Sequence, residues 1–504
     1  MTARMSHIDA VSRAIYGPAQ RERHPIRPRS SYDAAQTDSG NERHWANADG
    51  MSGRQANLPE TRRKLRERGR LEFDNGGNCR GAIETIAHDM IGTGPRVQLT
   101  PPPGVPEATV KFLEQQFSFW GDDQAVDFAD LLRIKVESEN RDGESFGLFV
   151  TNDAIEHPVK LGVRLVETDQ VCTPDAPLVE SDRAVDGIEF DATGNPTRYA
   201  ILKNHPGDGF NWNPGEYSWW PAELVLHWFR ASRPSHARGI PRITPGLPLH
   251  AHRRAFTRSV LGAARIAAML AGILKTNLPP DEGPVAVEAY DVIPMDHDGL
   301  LSMPAGWDAS QFKAEQPTAN YKEFCDTLHT EFGRGIHAPR NIVTGDSSPY
   351  NYSSARLDHI IYRGALTVAR NRLAIRVLDR VFKTWWAEAL AIEGFVPNGD
   401  TLPPLSDWSW TWRYNGFPSI DPVKDATATE IDLRCGVQSY ADVLSERGKD
   451  WRDHFRQLAA ERTLARELGI EDLLWPDQQT AAPAAPTQAE RDTVLDDEEA
   501  AYDR

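Results

Sequence analysis

Hydroxyl side chains are concentrated at residues 347–356, where the chain reads SSPYNYSSAR immediately before a long apolar pattern. A nucleophilic serine needs a base within hydrogen-bond reach and a third group that orients the base. Neither a G-x-S-x-G nor an S-x-x-K pattern surrounds these serines. His359 follows Ser353 and Ser354 by six and five residues, which places it on the wrong helical face for an easy contact. We therefore predict no catalytic residue in this stretch.

The same hydroxyl groups can instead begin a helix. Ser348 stands directly before Pro349, and serine at the N-cap followed by proline at the first helical position is a common helix start. The hydroxyls of Ser353 and Ser354 can bond backbone N–H groups of the first turn. The sequence therefore predicts a helix over 349–390 that is capped by Ser348.

The patterns that bind metals and nucleotides are missing or incomplete. Cys79, Cys172, Cys325 and Cys435 form no C-x-x-C pair, so they are interpreted as buried thiols of a reducing cytosol rather than zinc ligands or disulfides. The run Asp-His-Asp-Gly at 296–299 is too short for a calcium loop and predicts a turn.

Nucleotide-binding patterns are equally weak. The G-x-G at 92–94 lacks the third glycine of the dinucleotide fingerprint, and no G-x-x-x-x-G-K-[ST] sequence occurs. We predict no catalytic residue, no metal site and no cofactor.

Basic residues cluster once, near residue 65. Lys and Arg number 56 against 73 Asp and Glu, a formal net charge of -17, which argues against a dedicated nucleic-acid-binding domain but does not exclude DNA passing nearby. Interleaving with Leu65 and Glu67 favours a solvated helix face over a phosphate site. The cluster comprises Arg62, Arg63, Lys64, Arg66, Arg68 and Arg70.

The elements that must position these residues follow from composition and periodicity. A chain of 504 residues should form two to four units. Apolar spacing predicts helices over 248–276, 318–336 and 349–390, and the first carries small residues that permit close helix packing. Punctuated strand-like runs fill 127–226. The longest apolar run, 260–274, contains Arg265 and is shorter than the ~20 residues that a bilayer requires, so no membrane span is expected.

Five segments, in order along the chain, resemble the signature segments of lambda-type phage portal proteins. They are SYDAA (31–35) with Trp45 behind it, RGRLEFDNGGNCRGAIETIAHDMIGTGPRVQ (68–98), HWFRASRPSHARGIPRITP (227–245), NYSSAR (351–356) and GFPSIDPVKDA (416–426). The resemblance extends from about residue 30 to about residue 472.

The resemblance implies an α+β portal fold with a wing, a two-helix stem, a clip and a helical crown. The implied parts are a flexible N-terminal arm 1–57, an α/β wing 58–245, stem helix 246–276, clip 277–316, stem helix 317–336, tunnel loop 337–350, long helix and return to the wing 351–419, crown 420–475 and a disordered acidic tail 476–504.

The same resemblance implies a passive channel at one capsid vertex of a virion assembled in bacterial cytoplasm. Its partners would be eleven further copies in a dodecameric ring, the terminase large subunit, a head–tail adaptor, the major capsid protein and scaffold, and double-stranded DNA that passes through without sequence specificity. The candidate channel or tunnel-loop residues are Arg334, His337, Arg340, Asn341, Asp346, Ser347 and Ser348. The motif residues with structural roles are Asn351, Tyr352, Ser353, Ser354, Arg356, Arg238 and Gly239.

Several roles stay open at this point. Arg334 and Arg340 could steer a duplex or form ion pairs, and Arg238 and Gly239 are interpreted as ion-pair and turn residues in preference to DNA contacts. One competing function is an α/β hydrolase that uses His227 or Asp169. Another is a ring-forming adaptor that conducts no DNA, and a particle's mass and central hole separate both from a portal.

Overall fold

The computed structural model describes residues 43, 46, 48, 50–173, 184–209, 216–269, 273–276, 307–310, 321–397, 401–417 and 422–474. The predicted tail 476–504 and the predicted turn 296–299 lie outside them. The chain divides into two units, Met1–Ser52 and Gly53–Arg504, and the elements named below belong to the second. That unit begins inside the predicted arm 1–57.

The N-terminal part of the larger unit is helical. Its helices are α1 (Gly53–Ala56), α2 (Pro59–Asn75), α3 (Gly77–Ile91), α4 (Glu107–Asp122) and α5 (Phe128–Arg141). Pro59 begins α2 at a position where its missing N–H group leaves no bond unmade. Gly76 separates α2 from α3, as the Asn-Gly-Gly-Asn run predicts. Helix α5 occupies the start of the region 127–226, so the prediction of strands there is wrong before residue 144.

Eight antiparallel strands lie within residues 96–229 of the described chain, and all but the first follow α5. They are β1 (Arg96–Thr100), β2 (Glu144–Thr151), β3 (Leu161–Val166), β4 (Ala184–Val185), β5 (Ile188–Phe190), β6 (Pro196–Leu202), β7 (Tyr217–Pro221) and β8 (Val225–Phe229). Strand β2 lies between β3 and β8, and β4 to β7 form a second sheet in chain order. Phe146, Leu148, Ile188, Tyr199 and Val225 pack into one buried cluster that joins these two sheets.

Two further helices contact one another and lead into a short hairpin. They are α6 (Leu247–Met269) and α7 (Tyr321–Ile336), and between them lie β9 (Ile273–Thr276) and β10 (Trp307–Ser310). Strands β9 and β10 pair antiparallel. The prediction of a helix through residue 276 is therefore wrong at its C-terminal end, because the backbone of 273–276 bonds to a partner strand that periodicity does not reveal.

A long helix crosses the core. Helices α8 (Arg340–Thr344), α9 (Tyr352–Leu373) and α10 (Asp379–Ala391) follow α7, and the π-helical segment Ala374–Leu378 joins α9 to α10. Phe382 and Trp385 of α10 lie 5.4 and 5.3 Å from the ring of Phe117. The largest buried cluster therefore sits between α3 to α5 and the helix α9–α10, which matches the apolar spacing of 349–390.

The C-terminal part consists of one strand and helices separated by glycines. The elements are β11 (Ser409–Arg413), which pairs with β1, and α11 (Pro422–Arg434), α12 (Tyr440–Glu446), α13 (Trp451–Glu467) and α14 (Glu471–Leu474). Gly436 and Gly448 have φ of 70° and 75°, a left-handed conformation that favours glycine after a helix. Glycine between helical segments is the sequence pattern that predicts such breaks.

The cysteines differ in exposure. Cys79 is buried, Cys172 and Cys325 are half-buried and Cys435 is exposed, all as free thiols. The expectation of four buried thiols is thus wrong for three of them, because exposure depends on packing between elements. Within the part of the chain that the structure describes, no helix has the length and apolarity to cross a membrane.

Candidate functional site

Arg238 lies in the interior of the larger unit with none of its side chain exposed. Its guanidinium lies 2.7 Å from Glu144, donates to the backbone oxygen of Asp186 at 2.6 Å and to that of Val171 at 2.9 Å. It also lies over the ring of Phe146, 5.2 Å from the centroid. Arg238 is thus an ion-pair residue, and a side chain without exposed surface cannot contact DNA.

The partner of Arg238 is an equally buried carboxylate. Burial alone would raise the pKa of Glu144, but Arg238 and the hydrogen bond from His227 outweigh it and hold that pKa well below its ordinary value. Glu144 also accepts the backbone N–H of Gly239 at 3.0 Å. Arg238 and His227 favour the negative charge of Glu144, so the pair is charged in the folded protein.

Gly239 allows two backbone segments to touch. A Cβ atom at Gly239 would lie 2.0 Å from the carbonyl oxygen of Gly143, and a Cβ at Gly143 would lie 2.6 Å from the backbone of Ile240. Gly143 also has a φ of 95°, which side-chain-bearing residues rarely adopt. The Arg-Gly pair of the motif therefore combines a buried charge with a close backbone approach.

His227, a candidate base in the hydrolase alternative, is sandwiched between aromatic rings. Its ring stacks on Phe146 at 4.3 Å and on Phe229 at 4.4 Å. Its Nε2–H donates to Glu144 at 3.0 Å, and Nδ1 lies 3.4 Å from the Tyr199 hydroxyl. Burial lowers the pKa of His227. Among the described residues, its polar partners are thus a structural carboxylate and a phenol, and no serine, threonine or cysteine is bonded to it.

The basic residues of α2 form the solvated face that the sequence favours only in part, since Arg63, Lys64 and Arg68 are exposed. Arg62 pairs with Asp186, Arg66 donates to Asp169 at 2.9 Å and Arg70 donates to Asp142 at 2.7 Å. Arg62 and Arg66 are buried, with 1% and 6% of their surface exposed. The interpretation is therefore wrong for Arg62, Arg66 and Arg70, because it treated the cluster as one face. Positions 62, 66 and 70 recur at helical spacing and share one face, which is the signal that could have found them.

Asp169, the other residue of the hydrolase alternative, is held by the same arginines. It lies beside Glu167 and His205, and one ligand atom from each of these three residues lies within 4.8 Å of the others. The guanidinium of Arg70 is 2.7 Å from Asp169 and 3.6 Å from Glu167. The guanidinium of Arg70 is therefore already the cation beside these carboxylates, in the place that a metal ion would take.

The predicted tunnel loop 337–350 contains the short helix α8. Arg340, at its start, pairs with Asp326 of α7 at 2.9 Å and lies over the ring of Tyr350. Asn341 donates its side-chain amide to His359 Nε2 at 2.9 Å. These contacts fasten the segment to α7 and α9. Of the two roles left open for Arg340, the structure supports the ion pair.

Arg334 and His337 mark the end of α7. Arg334 is exposed and, with Arg340 and Tyr350, lines a cleft of about 330 Å³. His337 has a φ of 62°, the left-handed position that glycine usually takes after a helix. Its Nε2 lies 3.4 Å from Arg230, and burial together with the charges of Arg242 and Arg230 lowers its pKa.

The remaining polar residues of this segment make local turns. Asp346 accepts the backbone N–H of Ser348 at 2.9 Å, and the backbone oxygen of Ser347 accepts that of Tyr350 at 3.1 Å. Asp346, Ser347 and Ser348 are exposed. The structure thus brings Arg334, His337 and Arg340 to one cleft and leaves the other three at the surface.

Helix α9 begins three residues later than predicted. Asn351 is its N-cap and accepts the N–H of Ser354 at 2.8 Å, so the prediction of Ser348 as N-cap is wrong. Serine and asparagine both suit the N-cap position. The turn in which the N–H of Tyr350 bonds to the oxygen of Ser347 keeps Ser348 outside the helix, so Asn351 takes that position. The Ser354 hydroxyl donates to the Asn351 carbonyl oxygen at 3.1 Å and Ser353 is exposed.

The other two motif residues follow in the first turns of α9. Tyr352 is the first residue of the helix. Arg356 lies 3.4 Å from Asp425 of α11 in an exposed pair. The motif NYSSAR therefore starts the helix and adds one weak surface link.

Comparisons with known proteins identify relatives of this chain. A profile of the family described as "Phage portal protein, lambda family" matches residues 39–369. A "Probable portal protein" of Halomonas phage phiHAP-1 is 22% identical over 459 residues, covering 86% of each chain.

Two solved structures have lower similarity to the chain. A chain in the neck of a native gene transfer agent particle with C12 symmetry has a TM-score of 0.46 and 13% identity, covering 81% of this chain and 98% of that one. A portal protein of the HK97 family from Corynebacterium diphtheriae has a TM-score of 0.28 and 10% identity, covering 69% and 94%. Because the family profile spans well over half of the 504 residues, the chain belongs to the lambda family of phage portal proteins.

Proposed function

We propose that this portal protein forms a ring, twelvefold in the assembled particle, through which double-stranded DNA enters and leaves a capsid. The observation that carries the proposal is the family match over residues 39–369. The terminase, the head–tail adaptor, the major capsid protein and the scaffold are its proposed partners, and its proposed location is the portal vertex of a virion. Its role is mechanical, without a catalytic step.

The paired helices support the assignment of a stem and a clip. Phe256 of α6 stacks on Tyr321 of α7 at 5.5 Å, and His250 contacts Phe332 at 4.2 Å, so the two helices run antiparallel. The hairpin β9–β10 lies between them in the chain. We assign α6 and α7 to the stem, the segment between them to the clip and α11 to α14 to the crown.

Exposed apolar side chains support assembly from many copies. Along one stretch of α9, Leu357, Ile360 and Ile361 are 63%, 56% and 59% exposed. Gly262 of α6 has open space where a Cβ would be, and Leu261 beside it is 56% exposed. Large apolar surfaces left open on one subunit are typical of protein interfaces, and in a closed ring each would face the next copy.

Charge supports a channel that does not hold its DNA. Each phosphate neutralised by an arginine or lysine releases counterions and strengthens binding, which would slow a sliding duplex. In the segment 337–350, which we assign to the channel, Arg340 is already paired with Asp326. The exposed Arg334 is then the guanidinium best placed to steer the duplex.

Negative-stain imaging and mass in solution test the proposal. We expect a ring of many 56.3 kDa subunits with a central hole of at least the ~20 Å that a duplex needs. A compact particle without a hole would contradict the channel and reopen the search for an enzyme. A holed ring too narrow for a duplex would favour the adaptor.

A charged substitution sharpens this experiment. Ile360→Glu should leave the helical circular dichroism unchanged and abolish the ring, because it places a carboxylate on the proposed interface. Leu71→Glu is the matched control, since Leu71 is 51% exposed on α2. If rings persist in Ile360→Glu, α9 is not part of the interface between subunits.

A further inference from the structure

Five arginines line one groove between the strands and the helix α9–α10. The groove has a volume of about 850 Å³, and among the described residues no aspartate or glutamate lines it. We call it the arginine groove; its basic residues are Arg230, Arg242, Arg372, Arg376 and Arg380. In a chain with a net charge of -17, such a local excess of positive charge needs a partner.

The described residues neutralise these arginines only in part. Arg376 is exposed and has no carboxylate partner in the described part of the chain, and the polar contact of Arg230 there is with His337. Arg380 donates to the backbone oxygens of Val225 and Ala222. This groove therefore contrasts with the interior, where each of Arg62, Arg66, Arg70 and Arg238 has a carboxylate partner.

Behind the groove, Glu139 compensates part of this charge. Arg372 lies 3.9 Å from Glu139, and Arg242 donates to the backbone oxygen of Ile336. Burial lowers the pKa of Arg242 and of Arg372. Glu139 raises both pKa values and so offsets part of this effect, whereas Arg230 lowers them further. Mutual repulsion of this kind is relieved when an anion enters.

The groove also has an apolar rim. Val368 and Ile375 line it and are 64% and 57% exposed, and Phe190 and Phe229 line it as well. A cleft of this volume encloses a ligand of small-molecule or short-peptide size, and it is far smaller than a duplex of ~20 Å width. Its occupant should therefore be a narrow segment that carries both carboxylates and apolar side chains.

The chain itself contains such a segment. Residues 490–504 read ERDTVLDDEEAAYDR. Their carboxylates outnumber their arginines, and Val494, Leu495 and Tyr502 supply apolar groups. The carboxylates are those of Glu490, Asp492, Asp496, Asp497, Glu498, Glu499 and Asp503.

The segment can reach the groove. The last described residue is Leu474, and a linker over 475–489 extends to about 50 Å at ~3.3 Å per residue. Helix α11 of the C-terminal part lies near the groove, because Ile375 lines both the groove and a second cavity that Asp425 and Asp432 of α11 also line.

We propose that the arginine groove is the docking site of the acidic segment 490–504 of this chain, contributed by the same subunit or by a second copy. Carboxylates of the segment would pair with Arg230 and Arg376, and its apolar residues would cover Val368 and Ile375. Docking would neutralise the groove and keep DNA from binding there.

Site-directed crosslinking of the full-length protein tests this docking. In a Cys435→Ser parent, which removes the exposed thiol, Val368→Cys and Ala500→Cys are introduced and treated with a short bismaleimide. The parent alone gives the background from the other cysteines. We expect a crosslink at least fivefold stronger than with Leu71→Cys and Ala500→Cys, and we expect 1 M salt to suppress it, since that salt shortens the Debye length to about 3 Å.

The double variant Arg230→Gln and Arg376→Gln decides the role of the groove. It should lower the crosslink at least fivefold without changing the circular dichroism. Mixing tagged with untagged subunits distinguishes docking within one subunit from docking between copies, and either result supports the proposal. An equal crosslink yield with Leu71→Cys would overturn the docking proposal. So would a yield that stays the same when Arg230 and Arg376 are both replaced by Gln.

Fluorescence anisotropy with a 30-base-pair duplex tests whether the groove binds DNA instead of the acidic segment. Duplex binding that requires Arg230 and Arg376, together with absent crosslinking, would overturn the proposal and assign the groove to DNA. The crosslink yield can be measured whatever the oligomeric state of the protein. A missing ring would therefore contradict the proposed channel without affecting the test of docking.

Discussion

Two signature segments of the family act in different ways in this protein. In the segment at 227–245, Arg238 reaches Glu144 and Asp186, which lie 94 and 52 positions away in the chain. In the segment at 351–356, Asn351 bonds to Ser354, three positions away. The first motif joins distant strands through a buried charge, and the second starts a helix through a local cap. A family signature therefore marks a structural requirement as readily as a contact with DNA.

The difference has an energetic side. A buried ion pair is stable only while both partners remain, because removing one leaves an unpaired charge away from water. An exposed cap or surface pair is hydrated with or without its partner, so its loss costs much less. Substitutions in the first segment should therefore destabilise the protein more than substitutions in the second.

The largest effect is expected from Arg238→Met. The substitution leaves Glu144 buried without its cation, and we expect the free energy of unfolding to fall by about 3–5 kcal/mol. Urea denaturation followed by tryptophan fluorescence measures this. Adding Glu144→Gln should restore part of the loss, since it removes the unpaired charge. Wild-type stability in Arg238→Met would show that the ion pair does not hold the interior together.

Gly239→Ala should have the next largest effect. The new methyl group would meet the Gly143 carbonyl oxygen at 2.0 Å, so the strands must separate, at a cost of about 1–3 kcal/mol. Gly364→Ala in α9 is the matched control. Nothing lies within 4 Å of a Cβ there, and alanine favours a helix by about 0.5–1 kcal/mol over glycine. The thermal unfolding midpoint should fall in Gly239→Ala and rise in Gly364→Ala. Midpoints that shift in the same direction would contradict the close approach of Gly239 to Gly143.

Lys135 is a buried basic residue whose hydrogen bond among the described residues goes to a carbonyl oxygen and not to a carboxylate, and its burial lowers the stability of the protein. Lys135 is 1% exposed, its hydrogen bond goes to the Leu226 carbonyl oxygen at 3.2 Å, and burial lowers its pKa to about 7. Lys135→Met should therefore raise the free energy of unfolding at pH 7 by at least about 1 kcal/mol.

The pH dependence gives this prediction its sign. Between about pH 7 and the ordinary lysine pKa of 10.5, the unfolded chain binds more protons at Lys135 than the folded one. The wild type therefore gains stability as pH rises, and the advantage of Lys135→Met should shrink toward pH 10. Urea midpoints at pH 7 and pH 9.5 measure the difference, and a constant advantage would mean that the lysine charge is not responsible.

The smallest effect concerns the helix cap. Asn351→Ala should lower the free energy of unfolding by about 0.5–1 kcal/mol, because the N–H of Ser354 loses its acceptor. Ser348→Ala should change it by less than about 0.5 kcal/mol, since Ser348 is exposed outside the helix. Comparing the two thermal unfolding midpoints tests the observed start of α9. A larger loss from Ser348→Ala would favour the start that the sequence predicts.

Local rules succeeded where a bond joins near neighbours. The break at Gly76, the glycine helix ends at Gly436 and Gly448 and the long apolar helix all follow from short-range patterns. The same rules failed for α6, where the strand 273–276 pairs with 307–310 across a long stretch of chain. They also failed for Arg62 and Arg66, because the partners Asp186 and Asp169 lie more than one hundred positions away.

By itself, the sequence determined the α+β class, the order of the main helices and, through its motifs, the family. Periodicity, turn residues and motif order are properties of the chain that need no knowledge of distant contacts. Only the tertiary structure decided which charges are compensated, because an arginine is defined by the carboxylates that folding brings to it. For that reason Arg238 became an interior ion-pair residue and Arg376 an open one, although the sequence presents both as basic residues of an acidic protein.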